Sequence, residues 1–126
     1  MNPTPPADYV VEALLAFFPP NEPKFTTSVE KIHRAFYRLK ERHADAMGDF
    51  FFDNDKPFPF CEDIEFAFGN LAAAGLVRTQ NTYLEKFNTS PELLSHFRRV
   101  TKARVGIAEA DLQHISEELQ EAIAES

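Results

Sequence analysis

Apolar positions along this chain recur mostly at steps of three and four, and in two places the pattern gives way to short continuous runs. The first spacing marks helices with one buried face, and the runs, where turn residues bound them, mark extended segments. From Asp8 to Phe18 the residues Tyr9, Val10, Ala13, Leu14 and Phe17 share one side of a helix, and Pro19-Pro20 stops it. Asn21 to Thr26 reads as a loop. Thr27-Ser28-Val29-Glu30 is a capping box, in which hydroxyl and carboxylate satisfy orphan amides reciprocally. Val29, Ile32, Phe36, Leu39 and His43 carry this second helix to about His43, and Ala44 to Gly48 loosens it.

Phe50-Phe51-Phe52 predicts a short strand or, at the least, a buried extended anchor, and the following DNDKPFP is too rich in turn formers for regular structure. A third helix begins near Cys61 with Ile64, Ala67, Phe68, Leu71 and Ala74 facing inward, and Gly75 suits the positive φ of its C-terminal cap. Leu76–Thr79 and Thr82–Phe87 are expected to pair as a hairpin around Gln80-Asn81. Ser90 caps a fourth helix with Pro91 at its first position, Gly106 interrupts it, and a final helix covers about Ala108 to Ala124.

The stretch FGNLAAAGLVRT followed by TYLEKFNTSPEL, a helix running through glycine into a small hairpin, resembles the winged helix-turn-helix superfamily. The resemblance covers Val29 to Phe87, about half the chain, and departs where DNDKPFPF replaces a short helix before the third one. It implies an α+β, mainly helical single domain over 1–126, with a winged-helix-like core at 27–89 and extra helices at either end. Residues 1–6 (MNPTPP) would form a mobile lead, and 107–124 an acidic C-terminal helix. It also implies DNA as partner, with the third helix in the major groove and the hairpin on the backbone.

Charge argues against that partner. Outside its apolar stripe the third helix offers Glu62, Asp63, Glu65, Phe66, Gly69, Asn70 and Ala73: three acids and no Lys or Arg. Asn70 has the chemistry to read adenine, but phosphate would be repelled. Phe66 among these residues is either a core side chain or a protein contact. The formal charge is −7, and all 13 Lys and Arg precede Val105; after it come six acids and no base. The body is therefore near neutral and the tail acidic.

Two cationic groups remain. Lys31, Arg34, Arg38 and Arg42 line one face of the second helix, either as a stripe for phosphate or an acidic partner, or as a solvated face paired locally through Glu30–Arg34, Arg38–Glu41 and Arg42–Asp45. Arg98, Arg99, Lys102 and Arg104 lie on the fourth helix just before the acidic one, where neutralisation within the chain or between subunits is the economical reading and nucleic-acid contact the alternative. On the final helix Ala108, Leu112, Ile115, Leu119 and Ala122 form a two-heptad seam, which serves either packing onto the domain or a homodimer.

Chemistry-bearing motifs do not emerge. No phosphate-cradling glycine loop, G-x-S-x-G or H-E-x-x-H is present. Asp53-Asn54-Asp55 fails as a calcium loop, with Phe58 where glycine and Ile64 where glutamate are needed. His33, His43, His96 and His114 lack zinc spacing, and Cys61 stands alone, which excludes an internal disulfide. The apolar run Val10–Phe18 is too short for a bilayer and holds Glu12. The expectation is a cytoplasmic, non-enzymatic regulatory or adaptor domain, without cofactor or metal, that binds a protein or a second copy of itself. The alternative is a DNA-binding regulator using a basic helix face.

Overall fold

A computed structural model describes residues 5–19, 25–26, 29–79 and 86–125. Its elements run α1 (Ala7–Leu15), β1 (Phe25–Thr26), α2 (Val29–Arg42), α3 (Ala44–Met47), α4 (Glu62–Ala73), β2 (Val77–Thr79), β3 (Lys86–Thr89), α5 (Glu92–His96), a π-helical turn (Phe97–Thr101), α6 (Lys102–Val105) and α7 (Glu109–Glu125). The fold is mainly helical with one small antiparallel sheet.

At its centre is α1. Against the expected one-sided burial, Ala7, Val10, Val11, Glu12, Ala13, Leu14 and Leu15 are all buried, while Tyr9 and Phe17 are only partly so. The helix is enclosed because α4, α7, α6, α3 and the π turn all pack against it. Such a helix must find partners for its ends away from water. Asp49 accepts from the Ala7 N–H (3.2 Å), Ser116 Oγ donates to the Leu14 carbonyl (2.6 Å) and Gln120 donates to that of Phe17 (3.5 Å). Two residues of the expected mobile lead are held in place: Pro5 is buried, and the Pro6 carbonyl accepts from the Val10 N–H (3.1 Å); residues 1–4 lie outside the described residues.

Helix α2 buries Ile32, Phe36 and Leu39 as its periodicity requires and ends at Arg42; the capping-box residues Thr27 and Ser28 lie outside the described residues. Phe50 to Phe52 is an anchor and not a strand. Phe50 and Phe52 are buried and stack with one another (6.3 Å), Phe50 stacks on Phe36 and Phe52 meets Tyr37 edge to face, while Lys40 of α2 donates to the Phe50 carbonyl. That lysine occupies a backbone group a strand neighbour would need. The segment after it is closed by an isolated bridge between Asp53 and Phe60.

Helix α4 buries Ile64, Ala67, Phe68 and Leu71, but Ala74 is exposed because it already lies in the cap. Leu76 N–H bonds to the Leu71 carbonyl (2.9 Å) and Gly75 N–H to that of Ala72 (3.1 Å), with Gly75 at φ 75°, which is a Schellman stop.

The hairpin departs from expectation in register. Thr79 faces Phe87 and Val77 faces Thr89, so the second strand is Lys86–Thr89. A two-residue turn at Gln80-Asn81 would put Thr82 opposite Thr79; residues 80–85 themselves lie outside the described residues. The observed register places buried Val77 opposite buried Thr89 and joins Ser90 N–H to the Leu76 carbonyl (2.9 Å). The stretch expected as a loop contributes β1, which pairs with β3 through Phe25 and Thr26 to give the order β1-β3-β2. Ser90 Oγ then accepts from Glu92 N–H (3.2 Å), the cap expected for the fourth helix, and Pro91 already has helical dihedrals. Gly106, at φ 67°, turns the chain into α7.

A Cβ at Gly75 would meet nothing within 4 Å, so its glycine is required by backbone conformation alone. Gly75→Ala is expected to lower the unfolding free energy by about 1–2 kcal/mol, the cost of a left-handed L-residue, with unchanged helix content by circular dichroism.

Candidate functional site

The basic stripe on α2 is largely neutralised. Arg34 pairs with Glu30 (2.9 Å) as its spacing foretold, but Arg42 reaches Glu118 of α7 (3.0 Å), which also binds His43. The carboxylate is thus the one that α7 lays beside α2 and not Asp45. Lys31 is partly exposed, and Arg38 is exposed with no ion pair among the described residues. Arg38 and Arg42 border a groove of about 500 Å³ whose other wall carries Glu118 and Glu121. A groove with both signs of charge does not select an anion.

The second basic group is occupied in the same way. Arg98 donates to both Glu109 oxygens, from Nη2 to Oε1 (2.9 Å) and from Nε to Oε1 and Oε2 (3.2 Å each), and Lys102 donates to Oε2 (2.8 Å). These hydrogen bonds, Arg98 first and Lys102 second, pull the Glu109 carboxyl down to about 2. Arg104 lies over the Tyr9 ring (5.5 Å) and donates to its hydroxyl (2.9 Å), which leaves Arg99 exposed. Neutralisation by the acidic last helix accounts for Arg98 and Lys102 of this cluster.

The seam on α7 faces inward. Leu112 and Leu119 are fully buried and Ile115 nearly so, all against the chain's own α1 and α2, and Ser116 and Ile123 join them. Ala108 is exposed and Ala122 half-buried. These leucines are therefore spent on intramolecular packing and do not present a coiled-coil face to a second copy.

Three histidines each meet a glutamate from another helix: His33 with Glu65, His43 with Glu118 and His96 with Glu12. His33 is wholly buried. Its Nδ1 accepts from the Cys61 N–H (3.0 Å), so the ring is neutral with its proton on Nε2, directed at Glu65 Oε1 (3.4 Å). Phe60 stacks on it at 4.6 Å, fastening the 53–60 segment. Burial pushes the His33 pKa down, against the pull of Glu65. Cys61, also buried at the start of α4, has its thiol pKa raised by burial although backbone amides of Ile64, Asp63 and Phe51 point at it. This lacks the accessible thiolate of a nucleophile.

Sequence periodicity did not reveal Glu12, a buried carboxylate on the central helix. It accepts from Thr101 Oγ1 and meets His96 Nδ1 at 3.3 Å. Residues five apart lie about 1.4 turns apart in an α-helix; the π turn between His96 and Thr101 brings both onto one face, where one carboxylate takes both. Thr101 addresses the carboxylate and not the imidazole, so no nucleophile–base relay results. Among the described residues, no group of three or more His, Cys, Asp or Glu is placed to hold a metal, and no helix is long and apolar enough to cross a membrane.

What remains is α4. Phe66 is 60% exposed, so it is not a core residue, and Gly69, Asn70 and Ala73 are exposed beside it. No charged residue occurs from Phe66 to Val77. The N-terminal end is acidic: Asp63 is held above the usual carboxylate range by partial burial and by Asp8, Asp49 and Glu62. Phe51 and Val100 are further exposed apolar side chains that periodicity did not single out. Comparison of the chain with protein-family models, curated proteins and solved structures finds no match, so the functional reading rests on this geometry.

His33 makes stability depend on pH. Its folded pKa lies below the ordinary 6.5, so the unfolded chain takes up the proton first as pH falls. Its contribution is full above pH 6.5 and is lost progressively below it. In urea titrations across this range, His33→Gln is expected to be less stable than wild type at pH 8, by about 1–3 kcal/mol for the strained buried site, with a shallower decline on acidification.

Proposed function

We propose that this chain is a non-enzymatic, winged-helix-like regulatory or adaptor domain that works through protein–protein contacts made by the outward face of α4. The observation that carries this reading is Phe66, a large aromatic exposed on a helix that holds no charge from there to its end at Ala73, about two turns. Surface helices of a free-standing domain ordinarily direct charge to water. Depletion of charge around an exposed aromatic is the composition of an interface centre. The winged-helix part of the reading is supported by the order of α2, α4 and a hairpin entered through the Gly75 stop, with β1 added to the sheet.

DNA is a poor partner for the same surface. The face of α4 presents acids at one end and no Lys or Arg, and Arg34 and Arg42 of α2 and Arg98 and Lys102 of the later basic cluster are bonded to glutamates within the chain. A protein that neutralises few phosphates has little sequence-independent affinity to build upon.

Phe66→Ala should leave the melting temperature within a degree or two of wild type, since an exposed side chain contributes little to stability, and should weaken capture of the partner from native lysate. Capture should survive nuclease treatment. A large fall in melting temperature, or capture that nuclease abolishes, would show the reading to be wrong.

A further inference from the structure

We infer that the cavity between the α2–α3 junction and the first turns of α7 is a binding site for a small zwitterion, a free α-amino acid with an apolar side chain. No residue of α4 lines it, so the inference stands apart from the protein-contact reading.

The cavity measures about 550 Å³, within the roughly 300–1,000 Å³ of small-molecule sites. Its apolar part comes from Ala46, Ile107 and Ile115; Ile115 is buried, and the other two are half-buried against the same core. Charged groups of both signs share the lining. Asp45 and Asp111 bring carboxylates, while Arg42, His43 and His114 bring nitrogens.

Two of these side chains are held in place. Glu118 accepts from Arg42 Nη1 (3.0 Å) and from His43 Nε2, which leaves the Nε and Nη2 donors of Arg42 for a further acceptor. The other three, Asp45, Asp111 and His114, are exposed and make no hydrogen bond or ion pair among the described residues. Helical spacing offers Arg42 to Asp45, but Arg42 turns to Glu118, and Asp45 is left on the cavity wall. Asp111 stands between two acids of α7 that are bonded to bases, Glu109 and Glu118, and is itself unbonded. The same aspartates and histidines are not among any described group placed to hold a metal.

The charges select the class of ligand. A simple anion would meet two carboxylates in the cavity and a chain of net charge −7. A simple cation would leave the guanidinium of Arg42 and the ring N–H of His114 without an acceptor. An α-amino acid carries both charges on neighbouring atoms and has no net charge for the field of the whole chain to repel. Asp45 and Asp111 take its ammonium, Arg42 and His114 take its carboxylate, and its side chain lies against Ile107 and Ile115. The bound molecule ties α7 to the α2–α3 junction and stabilises the native state by mass action.

Titration of the full, isotope-labelled chain with L-leucine should shift the amide signals of Ala44, Ala46, Ile107 and Asp111 saturably, with the affinity read by calorimetry. L-Leucinamide, which lacks the carboxylate, and N-acetyl-L-leucine, which lacks the ammonium, should each bind about tenfold more weakly or worse, the loss expected when a charge-assisted hydrogen bond is removed. Asp45→Asn, Asp111→Asn and His114→Gln should each weaken L-leucine binding by a similar factor. Their melting temperatures should stay within a degree or two of wild type, because the replaced side chains are exposed and unbonded.

The absence of saturable shifts with L-leucine, L-methionine and L-phenylalanine up to millimolar concentration would overturn the inference. Equal binding of the amide or the acetyl derivative would also overturn it, since one end of the zwitterion would then go unrecognised. So would L-leucine binding that the Asp45→Asn, Asp111→Asn double variant retains at full strength.

Discussion

Burial of α1 on every side is the constraint on which the rest of the molecule depends. A nine-residue helix with almost no face to water must satisfy its terminal amides and carbonyls within the protein. The partners come from two distant places: Asp49 at its start, and Ser116 and Gln120 of α7 at its end. Its one buried carboxylate, Glu12, draws two more from the helix after the hairpin. A buried carboxylate without hydrogen bonds would be expensive. The π turn is the local irregularity that supplies both donors, so a distortion in one helix follows from a side chain in another.

The same economy explains the charge. The six acids after Val105 look like a tail designed for an outside partner. Two of them bind bases that the earlier helices present: Glu109 takes Arg98 and Lys102, and Glu118 takes Arg42 along with His43. These pairs are exposed or half-exposed and individually modest. Their joint effect is to fix where α7 lies while removing two cationic patches from the surface, with Arg38 and Arg99 left standing outside such pairs among the described residues.

Against that background α4 is the exception. Elsewhere an exposed helical position ordinarily carries a charge, an amide or a hydroxyl; here the last two turns carry Phe66, Gly69, Asn70 and Ala73. A lone exposed apolar residue needs no explanation. Two turns combining an exposed aromatic, an open helix-interior glycine and no charge are different, because each feature costs either solubility or helix stability and nothing among the described residues recovers the loss.

Local chemistry was sufficient to read the helices, the Gly75 and Gly106 stops, the Ser90 cap and most of the core, since each depends on residues within a turn or two of one another. Charge alone was enough to question a DNA-reading α4. The register of the hairpin was not legible, because it follows the burial of Val77 and Thr89 and not the turn formers between the strands. β1 was missed because two residues acquire strand character only when β3 lies alongside. Whether Phe66 was core or surface, whether the α7 seam faced inward, and which carboxylate met Arg42 all depended on how helices far apart in the chain are laid together. Periodicity marks which side of a helix is apolar; it carries no information about which neighbour covers that side, and that is settled only when the helices compete for the same buried space.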